Sequence, residues 1–305
     1  MTKHSETPLG HAFDDSFTVI MLPDSQNYVK DKNNLRCFES QIAWIFKNRE
    51  SLNIKFVTHV GDLSNDDNDE EQFKAGFFQL GKLNGAVPYG ICAGNHDMSA
   101  DGSAPYFNKY FPPEVGKYRS DWVSSYDHNK HNAQSVSING REFLFIHLAY
   151  IPSDGAIQWA EKLIKEHKDA YVFITTHAFL ITDWSERGIA RKESRVSLTD
   201  TRIHKDGTNA GEDIYEKLVK PYDNVRMVLG GHYVGRYHMT FELGERRVHA
   251  MVADLEHEAP FGGNGFLRII QFVPSEGKIY NYTYSPMLDA YKLSEYDSFI
   301  LEMNM

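Results

Sequence analysis

Only two cysteines, Cys37 and Cys92, occur in 305 residues, which excludes a disulfide framework as the basis of the fold. Cys92 stands inside an apolar run and reads as a small buried hydrophobe rather than a reactive thiol. No apolar stretch approaches the roughly 18 residues that a membrane-spanning helix needs. Clustered positive charge is missing as well: 32 Lys and Arg stand against 42 Asp and Glu, for a formal net charge of −10. A general nucleic-acid binder needs a basic stripe to neutralise phosphates, and a surface-bound membrane protein needs a basic amphipathic helix; neither pattern is present. Residues 1–16 form a polar segment without the apolar centre of an export signal. That leaves two expectations for location, a cytoplasmic protein or the mature form of an exported one. Repeats, low-complexity tracts and linkers are absent. The sequence is 41% hydrophobic and 24% charged, enough apolar material for a sizeable core, and residues 17–305 read as a single domain.

What the sequence has in their place is alternation. Apolar runs 17-FTVIMLP-23, 54-IKFVTHV-60 and 86-AVPYGICA-93 read as strands. Between the first two, Leu35, Phe38, Ile42 and Ile45 recur at helical spacing; between the second and third, 69-DEEQFKAGFFQLGKL-83 reads as a helix with acidic residues in its first turn. This βαβαβ order predicts parallel strands covered by helices. Residues 98–132, rich in Gly, Pro, Tyr and Asp, read as a long irregular insertion. Its Tyr106, Tyr110, Tyr118, Trp122 and Tyr126 either wall a substrate or pack the insertion onto the domain. Asn139-Gly140 joins 134-QSVSI-138 to 142-EFLFIHL-148, a two-residue hairpin signal. A helix near 156–167, a strand 171-YVFITT-176, a polar surface loop over 182–209, a short helix near 211–220 and a strand 225-VRMVLG-230 follow. Four further runs, 238-HMTFEL-243, 247-RVHAMVA-253, 266-FLRIIQFV-273 and 278-KIYNYTY-284, make the C-terminal part β-rich. The fold class expected is α/β: two packed mixed sheets flanked by helices.

Polar residues gather just past the ends of these strands. Asp24 and Gln26 follow the first, Asp62 the second, and Asn95, His96 and Asp97 the third; His177 and His232 end two more. In open α/β sheets the loops at carboxyl ends of strands meet in one crevice. The set combines oxygen and imidazole donors without thiolate, which suits hard or borderline divalent metals and not a cysteine-type structural zinc. Gly61, Gly94 and Gly231 stand directly before Asp62, Asn95 and His232, where a tight turn can aim a side chain.

In this order, 24-DSQ-26, 61-GD-62, 94-GNHD-97, His177 and 231-GHYV-234 resemble the signature of the calcineurin-like metallophosphoesterases, over about residues 17–285. The resemblance implies a metal-dependent hydrolase of phosphoric monoesters or diesters with one or two divalent transition-metal ions (Mn, Fe or Zn) that activate a water as nucleophile. It places Asp62 as the bridge between two metals, with Asn95, His177 and His232 completing the second. Asp24, Gln26 and the residue at position 234 would serve the first. Here the family pattern of two imidazoles is broken: Gln26 offers a carbonyl oxygen and Val234 offers nothing. His238 and Glu256 are considered as replacements, although each reads more simply as a strand residue facing solvent.

The same resemblance gives His96 the role of proton donor or oxyanion stabiliser and Asp97 that of orienting its ring. Arg236 is a candidate contact for a substrate phosphate through its planar fork, set against an ordinary loop arginine. His59 and His147 read as core or supporting histidines. The substrate implied is a phosphorylated small molecule or phosphodiester. Two other readings stay open: a mononuclear variant of the same hydrolase, and a binding or scaffold protein whose metal site is impaired by the changes at 26 and 234.

Overall fold

The computed structural model describes residues 15–183, 185–191 and 207–303. Strand β1 (Phe17–Leu22), helices α1 (Gln26–Lys30) and α2 (Leu35–Asn48), strand β2 (Ile54–His59), helix α3 (Glu70–Gly81) and strand β3 (Tyr89–Ile91) form the alternating N-terminal part. Phe38, Ile42 and Ile45 are the buried face of α2, as their spacing predicts. Asp69 caps α3 by accepting the Glu71 amide, and Glu70 and Glu71 sit in its first turn, where the helix dipole favours negative charge. Strand β3 is shorter than the apolar run that contains it. The Ala86 and Val87 amides bond back to the Leu83 carbonyl at 2.9 and 3.1 Å, so the segment before Tyr89 is a turn, and Pro88 has no amide to give a ladder.

The expected irregular insertion is largely structured. It contains α4 (Pro105–Tyr110), a 3₁₀ turn over Pro113–Tyr118, β4 (Trp122–Tyr126) and the first residues of β5 (His131–Ile138). Its aromatics serve packing: Tyr106 lies against Phe73 and Tyr110 against Phe77 of α3, with ring centroids 6.0 and 5.7 Å apart. Tyr118 is exposed. Strand β6 (Arg141–Leu148) follows through the Asn139-Gly140 turn, both residues having positive φ, as a type I′ turn demands. Helix α5 (Asp154–Glu166), β7 (Tyr171–Thr176), the small pair β8 (Leu180–Ile181) and β9 (Gly188–Ile189), α6 (Gly211–Ile214) and β10 (Val225–Gly230) come next. The expected surface loop at 182–209 lies mostly outside the described residues. The chain closes with β11 (Gly235–Leu243), β12 (Arg246–Asp254), β13 (Leu267–Val273), β14 (Lys278–Ser285), β15 (Ala290–Lys292) and β16 (Ser298–Glu302).

Two seven-stranded mixed sheets result. One has the order β15-β14-β13-β1-β2-β3 with β16 also on β14, the other β11-β12-β10-β7-β6-β5-β4. Strand alternation sorts the side chains into layers. Phe17, Val19 and Met21 of β1 and Phe56 of β2 meet Phe143, Phe145, Phe173, Met227 and Met251 of the other sheet in a central seam. Ile20 and Leu22 turn instead toward α1, α2 and α3, and Leu144, Ile146, Val172 and Ile174 toward α5 and the helix after Gly211. The order of layers is therefore helix, sheet, sheet, helix. Within the seam Phe56 stacks on Phe145 at 3.7 Å and 3°, and Phe17 on Phe272 at 4.6 Å and 3°. Truncating Phe145 to Ala should cost about 3–5 kcal/mol of unfolding free energy in denaturant titrations.

His59 and His147 belong to this interior. Both are fully buried, and burial lowers each imidazole from 6.5 to about 3. Thr58 Oγ1 contacts His147 Nε2 at 3.0 Å. Each ring is neutral in the fold and gains a proton when the chain unfolds. Their contribution to stability is complete above pH 6.5 and is lost as the pH falls toward 3, by up to about 1.4 kcal/mol per pH unit for each ring. Denaturant titrations between pH 7 and 4 should show a shallower loss for His147→Gln than for the unmodified chain.

Candidate metal centre

Strands β1, β2 and β3 run parallel, and so do β6, β7, β10 and β12. Their carboxyl ends open into one crevice over the seam between the sheets. Asp24, Asp62 and Asn95 enter from the first sheet, His177 and His232 from the second. Asp62 and His232 both have positive φ, +50° and +67°, a conformation costly for residues other than glycine and common at functional sites. Neighbouring glycines make room: a Cβ on Gly94 would collide with the Asp62 carboxylate, and one on Gly231 with that of Asp24.

The ligand atoms converge. His177 Nδ1 donates to the Val60 carbonyl at 2.9 Å, which turns Nε2 inward. That nitrogen lies 2.9 Å from Asn95 Oδ1, 3.3 Å from Asp62 Oδ2 and 4.0 Å from Asp24 Oδ2. His232 donates through Nδ1 to the same Asn95 oxygen at 2.8 Å, and through its backbone amide to Asp24 Oδ2 at 3.0 Å. Single ligand atoms of Asp24, Asp62 and His177 all fall within 4.8 Å of one another. Burial would raise the Asp62 carboxyl, but the facing His177 outweighs it and sets Asp62 at about 2. Burial would likewise lower His177, and Asp62 in turn holds it above its ordinary value.

The fit to metal is tested by atoms left without partners. Asp24 Oδ1 and Gln26 Oε1 are buried and make no hydrogen bond within the protein. Buried polar atoms are nearly always satisfied, so oxygens orphaned beside a carboxylate bridge and two imidazoles suit a divalent cation. Asp24, Gln26, Asp62, Asn95, His177 and His232 are all brought to this crevice.

Two sequence expectations change here. Asp97 does not orient His96. It is fully buried, and its oxygens accept the backbone amides of Leu63, Ser64 and Gly94 at 3.1, 2.9 and 2.8 Å. Burial and the nearby Asp62 charge push its carboxyl up to about 6 against those amides. Asp97 therefore ties the Gly94 turn to the loop carrying Asp62. The His96 ring is held instead by the Asn65 carbonyl, which accepts from Nδ1 at 2.9 Å, and the His96 amide donates to Asp62 Oδ1 at 2.9 Å. Arg236 is likewise engaged elsewhere: Glu258 and Asp297 hold its guanidinium at 3.0 and 2.9 Å, so the expected phosphate contact gives way to an ion-pair anchor.

His59 acts one step back from the crevice. The Gly61 amide donates to its Nδ1 at 3.3 Å, so Nε2 carries the hydrogen and donates to Ser25 Oγ at 2.9 Å, beside Asp24. His238 stacks on Phe299 at 3.8 Å, on a strand away from the ligands. Glu256 is not the solvent-facing strand residue expected. It is buried and accepts from the Gln26 side-chain amide. Asp254, which the sequence reading passed over, is buried at the carboxyl end of β12. The signal was available: β12 ends directly at Asp254, and the strand-end rule that found His177 and His232 applies to it equally.

Comparison with known proteins agrees with this geometry. The family model of the calcineurin-like phosphoesterases matches residues 19–235. An uncharacterised protein of Bacillus subtilis, YvnB, is 31% identical over 281 residues, 89% of this chain. The chain spans only 20% of the length of that relative. Among solved structures, the purple acid phosphatase PPD1 from yellow lupin seeds superposes with a TM-score of 0.55 at 12% identity, over 95% of this chain and 54% of that one. GAP50, the anchor in the inner membrane complex of Plasmodium, gives 0.54 at 9% identity, over 95% of this chain and 90% of its own. At such identities these two structures bear on the fold alone. With its strand-end motifs in order and the match extending over residues 19–235, this chain belongs to the calcineurin-like phosphoesterase family.

Proposed function

We propose that the chain is a metal-dependent phosphoric ester hydrolase acting on phosphorylated small molecules or phosphodiesters. The observation that carries this reading is the convergence of Asp24, Asp62, Asn95, His177 and His232, from two sheets, around buried oxygens without partners. Asp62, Asn95, His177 and His232 would hold one divalent ion, with Asp62 shared toward Asp24 and Gln26. What such ions supply when bound is charge withdrawal from phosphoryl oxygens and a water acidified toward neutral pH.

The protein's own groups do the rest. Because His96 gives Nδ1 to the Asn65 carbonyl, Nε2 is the ring nitrogen left to meet a substrate. From there it donates to the ester oxygen that leaves, or to a phosphoryl oxygen as charge builds on it. Its backbone is fixed to the carboxylate of Asp62, so the proton donor and the bridging ligand move as one unit. Asp97 secures that unit from below. A binding or scaffold role on this fold has a parallel in GAP50, the anchor in the inner membrane complex of Plasmodium, but a scaffold has no use for a proton donor fixed to Asp62.

Reconstitution with manganese and a screen of aryl phosphate mono- and diesters tests the reading; metal binding without hydrolysis of either class overturns it. His96→Ala should keep its metal and lose about 10²–10⁴-fold in kcat, whereas Asp62→Asn should lose metal and activity together. Asp97→Asn should lower both stability, by about 1–3 kcal/mol, and activity, because an amide cannot accept from all three backbone groups. An Asp97 variant of unchanged stability would show that the carboxylate does not secure the loop.

A further inference from the structure

We propose that Asp254 supplies the first-metal ligand that position 234 lacks, giving an all-oxygen cation position of Asp24, Gln26, Asp62 and Asp254, in which Glu256 positions Gln26. The inference rests on the metal-dependent reading above.

Position is the first ground. Strand β11 starts one residue after Val234, and its first residue, Gly235, pairs with Asp254 across the antiparallel ladder. Asp254 thus stands one register position from Val234, where the family pattern puts an imidazole. Val234 itself turns out to solvent at 44% exposure.

Unmet bonding capacity is the second. Asp254 is 1% exposed; the Glu256 amide donates to its Oδ1 at 3.0 Å, and its Oδ2 has no hydrogen-bond partner in the protein. Asp24, 2% exposed, and Gln26, 4% exposed, each add one oxygen in the same condition, Oδ1 and Oε1. Glu256 explains the orientation of Gln26. Its carboxylate can only accept, so it takes the Gln26 NH₂ and leaves the carbonyl oxygen for the crevice. Asn27 gives its own NH₂ to the Glu256 carboxylate at 3.2 Å and to the Glu256 carbonyl at 3.0 Å, which holds that carboxylate in place.

Charge is the third. Asp24, Asp62, Asp254 and Glu256 are all buried. Hydrogen bonds link them to one region: the His232 amide on Asp24, His177 beside Asp62, the Gln26 amide on Glu256 and the Glu256 amide on Asp254. Four buried carboxylates carry a formal charge that two divalent cations cancel. Oxygen donors alone favour hard cations such as Mn²⁺ or Mg²⁺, while the neighbouring position, with two imidazoles, favours borderline metals. The centre is therefore chemically asymmetric.

Manganese binding by calorimetry and metal content, with Mn²⁺ electron paramagnetic resonance to detect a coupled pair, tests the assignment. The unmodified protein should take two equivalents. Asp254→Ala should take one, with the other weakened about 100-fold or more and the coupled signal gone. Adding Val234→His to Asp254→Ala should restore the second equivalent. Excess Mg²⁺ should displace one of the two manganese ions from the unmodified protein, a measurement that needs no variant to fold. Two equivalents in Asp254→Ala at unchanged affinity, or one equivalent in the unmodified protein, would overturn the role of Asp254 and leave the hydrolase reading standing. No manganese bound to the unmodified protein would overturn both.

Discussion

Mutual repulsion among buried carboxylates is the constraint on which this molecule turns. Asp24, Asp62, Asp97, Asp254 and Glu256 are withdrawn from water at the carboxyl ends of strands from both sheets, where each would be costly alone. The chain contains the cost in two ways. Asp97 is surrounded by backbone amides and becomes a fastener. The others stand around the crevice with the imidazoles of His177 and His232, where a divalent cation would offset their charge. Stability and cation binding are therefore one problem solved at one place, and ligands that bind only the folded form add directly to its stability.

The division of labour between the sheets follows from strand direction. Because β1, β2 and β3 point the same way, each loop after a strand lands on the same rim, and the same holds for β7, β10 and β12 in the facing sheet. Local strain is accepted there, with positive φ at Asp62 and His232; the strands below are continuous apolar segments that over-determine their own positions. The helices contribute indirectly. They cover the outer faces so that the strands can be apolar on both sides, which is what makes them readable as runs.

That readability sets what sequence alone could disclose. Strands β1, β2, β7 and β10 are largely apolar runs, broken only by single residues such as Lys55 and Arg226, and the ligands sit within a few residues of their ends, so order and identity of the principal site residues were legible. The Asn139-Gly140 turn was legible for a comparable local reason. What escaped depends on contacts distant in sequence. Nothing near Asp97 announces that its oxygens will meet the amides of residues 63, 64 and 94, and adjacency to His96 suggested the wrong partner. Asp254 ends, and Glu256 follows, a strand whose pairing runs parallel to β10 on one side and antiparallel to β11 on the other. Only that pairing brings them to the crevice. The insertion at 98–132 looked irregular because its helix and turns are short and its apolar residues are mostly aromatic, too few in each element to set a period.

The aromatic seam between the sheets has a meaning beyond cohesion. Asp24, Asp62 and Asn95 ride on one sheet and His177, His232 and Asp254 on the other, so no single sheet owns a complete set of donors. The stacked pair Phe56 and Phe145, one ring from each sheet, acts as the spacer that sets how far the two half-sets stand apart. A change of ring size there would alter the separation of those side chains without touching any of them.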